Sequence, residues 1–184
     1  MIVRLLSAAA VAVFLSAPAF AQSMGDTAKT LGEQTGVNQV LGVTPTTADF
    51  VSEAAMSDMF EVQAGQLAVE RGDAATKAFA QQMITDHKKT AEELKGLISS
   101  GKVKETLPMK LDSSRQETLD DLAGLHGADF DKQYRSVQVS SHETAVSLFQ
   151  RYAASGDNPA LQAWAGKTLP HLQAHLQTAE KLAQ

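Results

Sequence analysis

The sequence predicts an all-α protein, an antiparallel four-helix bundle whose second and third long helices are joined by a longer connection carrying an extra short helix. Three observations lead there. From about residue 48 onward, apolar residues recur at steps of three or four, the period of a helix face. No run alternates as a half-buried strand does, and the Val and Ile clusters are short. Breaks fall at Gly72-Asp73, around Pro108 and from Ser155 to Pro159, which leaves two helical hairpins separated by a longer link.

The chain begins with Arg4, an apolar run from Leu5 to Leu15 and the small-residue site Ala19-Phe20-Ala21, together the pattern of a secretory signal over residues 1–21. The apolar run is too short to span a bilayer, and no later stretch approaches spanning length. Cleavage after Ala21 would remove Arg4 and no acid, so 16 basic against 21 acidic residues become 15 against 21, a net charge of −6. A mildly acidic chain without a Lys/Arg cluster argues against nucleic acid or anionic lipid as partner. Export to an oxidising compartment usually brings disulfides, yet the chain has no cysteine, so its stability must come from packing.

Residues 22–46, rich in Gly, Thr and Gln with one weakly apolar patch from Val37 to Val43, are expected to form a flexible arm outside the domain of residues 47–184. The first long helix is predicted from about Ala48 to Arg71, with Thr47 as N-cap. Its inward face carries Phe50, Ala54, Ser57, Glu61, Ala64, Gly65 and Ala68. Asp73 caps the second helix, which places Phe79, Met83, Asp86/His87, Thr90, Leu94 and Leu97 together and ends near Ser99-Ser100-Gly101. A short helix follows, Asp112 to Leu125, interrupted at Gly127. The third long helix runs from about Ala128 to Ala154 with Phe130, Tyr134, Val137, Ser141, Ala145, Leu148 and Tyr152 inward and His142 at the edge of that stripe. Pro159 suits the first turn of the last helix, which runs to about Ala183 with Leu161, Trp164, Ala165, Thr168, Leu172, His175, Leu176 and Ala179 inward.

Bundles of this kind hold metal ions between inward carboxylates and histidines on facing helices. Each long helix offers such a group near its middle or one turn beyond: Glu61, then His87 with Asp86, then His142 with Glu143, then His175 with His171. Midpoints of antiparallel helices share a height, so Glu61, His87, His142 and His175 are the candidate metal ligands, with Asp86 and His171 beside them. The ion would be a single zinc, copper, nickel or iron. Each has a plainer reading: Glu61 and His87 as a mutually satisfied buried pair, Asp86 and Glu143 as solvated surface groups, and His126 as a capping or surface residue. Pro170 lies deep in the last helix, where it frees the carbonyl of Gly166 and would kink the chain beside His171 and His175. Thiol catalysis, phosphate loops, a G-x-S-x-G elbow and a dinucleotide fingerprint are absent.

The runs TTADFVSEAAMSDMFEVQAGQLA, KAFAQQMITDHKKTAEEL, GADFDKQYRSVQVSSHETAVSLFQ and LPHLQAHLQTA resemble a bacterial envelope family, the domain of unknown function numbered 4142. The likeness covers roughly Thr47 to Leu182 and rests most on the M-x-x-D-H and L-P-x-L-x-x-H patterns. It implies an exported protein with a ferritin-like four-helix fold and points to Glu61, Asp86, His87, His142 and His175; it brings no established activity. Di-iron ferritin-like proteins carry a Glu-x-x-His pair on each of two helices. Here Ile84 precedes His87 by three residues and Val139 precedes His142, so neither pair exists. Three functions remain open. The leading one is a non-enzymatic envelope or stress-related bundle, periplasmic or outer-membrane-associated, with a His/carboxylate metal site. The others are a metal-dependent oxidoreductase with a His-rich centre and a purely structural partner-binding bundle. Peripheral outer-membrane association and homo-oligomerisation are the partner expectations.

Overall fold

The computed structural model describes Gly32 and residues 36–184. The predicted signal segment and residues 22–31 and 33–35 of the predicted arm lie outside that range. The described residues are all-α, with no strand among them. A five-residue helix, α1 (Val37–Leu41), sits within the expected arm between two glycines of positive φ, Gly36 and Gly42. The chain leaving it is tied down, because Arg151 donates to the Val43 carbonyl at 2.5 Å.

Helix α2 (Thr47–Arg71) is capped one residue earlier than expected: the Thr46 hydroxyl, not that of Thr47, accepts from Asp49 N–H at 3.1 Å. Thr47 is drawn instead into tertiary bonds, to the Tyr152 hydroxyl at 2.6 Å and to Asp157. After the Gly72-Asp73 break comes α3 (Ala74–Ser99), with the Asp73 carboxylate accepting from Thr76 N–H at 2.8 Å. The short α4 (Ser113–Ala123) starts on the Asp112 cap and stops two residues before the expected end, where Arg71 holds the carbonyls of Ala123 and Leu125. Gly127 does not merely interrupt: it opens α5 (Gly127–Ser155) with φ of 56°. The last helix, α6 (Pro159–Ala183), is capped by Asn158, whose side-chain oxygen accepts from the N–H groups of Ala160 and Leu161.

Contacts along the long helices set their directions. Asp58 meets His87 while Gly65 lies against Ile84, so α2 and α3 are antiparallel. Gly65 makes that approach possible: a Cβ there would come within 2.8 Å of Ile84. Ala153 faces Gly166 and His142 faces His175, which makes α5 and α6 antiparallel. Between hairpins, Phe50 stacks on Tyr152 and Glu61 meets Gln138, so α2 opposes α5. Likewise Glu93 meets Trp164 and Asp86 meets His175, so α3 opposes α6. Helices α3 and α5 are therefore diagonal and parallel, as the ring contacts Phe79–Tyr134 and His87–His142 require. A parallel pair cannot be joined by a tight turn. Residues 100–126 must return along the bundle, about 39 Å for a 26-residue helix. On the way, α4 packs Leu119 and Leu122 inward and anchors Arg115 to Glu53 at 2.6 Å.

The core has two apolar clusters. One gathers Phe50, Val51, Leu94, Leu148, Phe149, Tyr152, Leu161 and Trp164; the other gathers Phe60, Phe79, Met83, Leu122, Phe130, Tyr134 and Ala179. On all four long helices the residues between these groups are polar and buried: Asp58 and Glu61 on α2, His87 on α3, Gln138 and His142 on α5, His175 on α6.

Candidate metal centre

That polar layer is where the site residues converge. His87, His142 and His175 are 2 %, 1 % and 5 % exposed, and a ring nitrogen from each lies within 4.8 Å of those of the other two. Their ring centroids stand 5.5–5.7 Å apart.

Each ring is held from outside the triangle. His142 Nδ1 lies 2.8 Å from the Gln138 carbonyl one turn earlier, and a carbonyl only accepts, so Nδ1 carries the proton. His87 Nδ1 donates to Asp58 Oδ1 at 2.8 Å, an oxygen that also accepts from the Thr90 hydroxyl at 2.7 Å. His175 Nε2 donates to Asp86 Oδ2 at 3.0 Å. The nitrogens left over are Nε2 of His87, Nε2 of His142 and Nδ1 of His175. All three are buried and have no hydrogen-bond partner. Three nitrogens out of contact with solvent are thus left, on imidazoles whose other nitrogens are pinned by two carboxylates and a carbonyl. Metal-binding histidines are oriented in this way.

Electrostatics separate the three rings. Burial would push the His87 pKa down, but the bond to Asp58 and the charges of Glu61, Asp58 and Asp86 outweigh it and raise it. Burial raises the Asp58 carboxyl against the opposing pull of His87 and Thr90. His142 is lowered by burial and by His87, with Glu61 opposing. His175 falls to about 4 through burial and its neighbours His142 and His87, against Asp86. Two of the three rings therefore favour the neutral form that a metal requires.

The expected pairing of Glu61 with His87 is not what forms. Asp58, absent from the predicted site, takes that place. Glu61 is buried at 1 % exposure and accepts from Gln138 Nε2 at 2.7 Å, while its Oε1 is unpaired. It stands beside the triangle, close enough for its charge to act on His87 and His142 but outside the ligand group. Asp86, expected to be a solvated surface group, is half-buried and holds His175; His171 is exposed one turn earlier on α6, beside the exposed Pro170. Glu143 is exposed, and so is His126, which occupies the N-cap position of α5 without a side-chain cap bond. His142 moves from the edge of its stripe to the centre, with Gln138, while Val137 and Ser141 are only half-buried.

Asp58 was legible in principle. His87 stands 14 residues after Asp73, and 14 residues before Gly72 stands Asp58. Reflection through the hairpin break finds it; hydrophobic periodicity alone does not, because it places Ser57 inward and passes over its acidic neighbour.

Among solved structures, the chain is similar to one described as CopM in the Cu(II)-bound form. The TM-score is 0.64 at 16 % sequence identity, covering 77 % of this chain and 98 % of that one. The likeness is one of fold. No curated protein matches the chain. Residues 32–182, nearly all of the described structure, match the family described as Domain of unknown function (DUF4142), and the chain belongs to that family.

Proposed function

We propose that the protein is an exported, non-enzymatic metal-binding bundle of ferritin-like arrangement, and that His87, His142 and His175 together hold a single transition-metal ion. The observation that carries this reading is the set of three unpaired, buried ring nitrogens turned toward one another. An unsatisfied polar atom in a protein interior costs about 1–3 kcal/mol, and three of them side by side are best accounted for by a ligand. Metal–nitrogen bonds of about 2.0–2.1 Å would bring the rings together by small side-chain rotations. Imidazole suits copper, zinc, nickel and iron alike, and the similarity to a Cu(II)-bound protein makes copper the first ion to test. Asp58, the Gln138 carbonyl and Asp86 orient the ligands, and Glu61 supplies negative charge beside the cation. The up-down-down-up course of the long helices supports the ferritin-like arrangement. The A-x-A signal over residues 1–21 supports export to the periplasm, with peripheral outer-membrane association as the finer expectation.

The test is titration of metal-free protein with Cu(II), Zn(II), Ni(II) and Fe(II), followed by metal analysis after gel filtration and by thermal melts. One ion per chain is expected. An ion at 100 times its Kd stabilises by about 2.7 kcal/mol, and His142→Ala should lose that response. A melting temperature indifferent to every metal would sink the reading.

A further inference from the structure

The three-histidine centre is closed along the bundle axis by the two apolar clusters, and α2 and α3 approach too closely at Gly65 and Ile84 to admit an ion between them. One face differs. Between α3 and α6 a cleft of about 80 Å³ runs from solvent to the buried layer, and its walls include His87 and His175 themselves. Toward the surface it is lined by Asp86, His171, Lys89 and Lys167. A second cleft, beside Phe79 and Leu182, carries no histidine and no carboxylate.

Two features of the α3–α6 cleft point to passage of a cation. His171 is exposed and lies one turn before His175, so the two side chains occupy the same face of α6 at different depths. Asp86 is half-exposed on the opposite wall, with one carboxylate oxygen on His175. An exposed imidazole, a half-buried carboxylate and a buried imidazole thus line one cleft. Of the two lysines beside them, Lys167 is already paired with Glu93 at 3.3 Å.

Building on the three-histidine reading, we propose that this cleft is the port through which the metal ion enters and leaves, with His171 as the capture ligand at its mouth and Asp86 as the group that passes the ion to His175. A ligand that acts only along the route speeds arrival and departure equally. It changes both rates and leaves the equilibrium untouched.

Stopped-flow uptake of Cu(II) by the full chain, and its release to a chelator, separate these effects. His171→Ala should slow uptake and release together by about tenfold, the lower end of what local charge and steering contribute to association rates, with Kd unchanged. Lys89→Glu, which turns a repelling charge at the mouth into an attracting one, should speed uptake at low salt; the same change at the exposed Lys132 on α5 should not. Unchanged rates in His171→Ala would overturn the port, and a weakened Kd would overturn it too by making His171 a resident ligand. If wild-type protein takes up no ion, the three-histidine reading itself falls, an outcome distinct from both.

Discussion

Replacing His87 by Ala in metal-free protein should be among the costliest single changes in this chain. Asp58 is 5 % exposed, its Oδ2 has no partner, and its Oδ1 is shared between His87 and Thr90. Without the imidazole, the carboxyl keeps only the Thr90 hydroxyl. Breaking a buried pair from one side costs about 3–5 kcal/mol, set against a total stability of about 5–15 kcal/mol. In a domain of this size 1 kcal/mol moves Tm by about 2–4 °C, so the expected fall is roughly 6–20 °C. Removing both partners should cost much less, because Asp58→Val with His87→Leu leaves neither a buried charge nor a hole. Thr90 keeps its backbone acceptors, the carbonyls of Asp86 and His87. Urea unfolding followed by far-UV circular dichroism in the presence of a chelator gives all three stabilities. A His87→Ala cost below about 0.5 kcal/mol, the range of ordinary surface changes, would refute the coupling. So would a double variant as unstable as the two single changes added together.

Two further outcomes follow from the same layer and from the helix contact beside it. His175 has its pKa depressed to about 4 from the ordinary 6.5, so in metal-free protein the unfolded chain takes up this proton first as pH falls; stability should drop between pH 6.5 and 4 by on the order of 2–3 kcal/mol and then level off. His87, raised rather than lowered, works in the opposite sense, so the comparison is with His175→Gln measured across the same range; equal slopes for the two proteins would count against the depressed value. Gly65→Ala, which in an exposed helix would stabilise, should instead destabilise by about 1–3 kcal/mol, because the new methyl would lie 2.8 Å from Ile84 Cγ1 and 3.3 Å from the Ala80 carbonyl. Equilibrium unfolding decides it, and a more stable variant would show that α2 and α3 separate at little cost.

The helices and their order were legible because their signals are local. Gly72-Asp73, Asn158-Pro159 and the apolar stripes each act within a turn or two of chain. The three histidines were legible because imidazoles near the midpoints of facing helices must meet in an antiparallel bundle. What escaped was rotational. On α5, Val137 attracts the inward face by its hydrophobicity, whereas Gln138 and His142 take that face, Gln138 donating to Glu61 and His142 Nδ1 donating to the Gln138 carbonyl. The same error hid Asp58 behind Ser57. A stripe drawn from apolar residues leaves out the polar layer that a site requires, and cross-helix pairing restores it only once the hairpin register is known. The cap at Thr46 escaped for a different reason: the hydroxyl of Thr47 is taken by Tyr152, 105 residues away, which no local rule can report.

The placement of the polar layer has a mechanical consequence. Each hairpin closes on itself through short connections and extensive packing, α2 with α3 and α5 with α6. The two hairpins meet through fewer contacts and a connection that must run the length of the bundle. His87 belongs to the first hairpin, His142 and His175 to the second. An ion held by all three would cross that seam at mid-height, where the apolar clusters above and below leave three buried nitrogens without partners. At this level the Glu61–Gln138 and Asp86–His175 hydrogen bonds already cross the seam, and a bound ion would add to them. In a chain without cysteine, a metal at this height would do for the two hairpins what a disulfide does elsewhere.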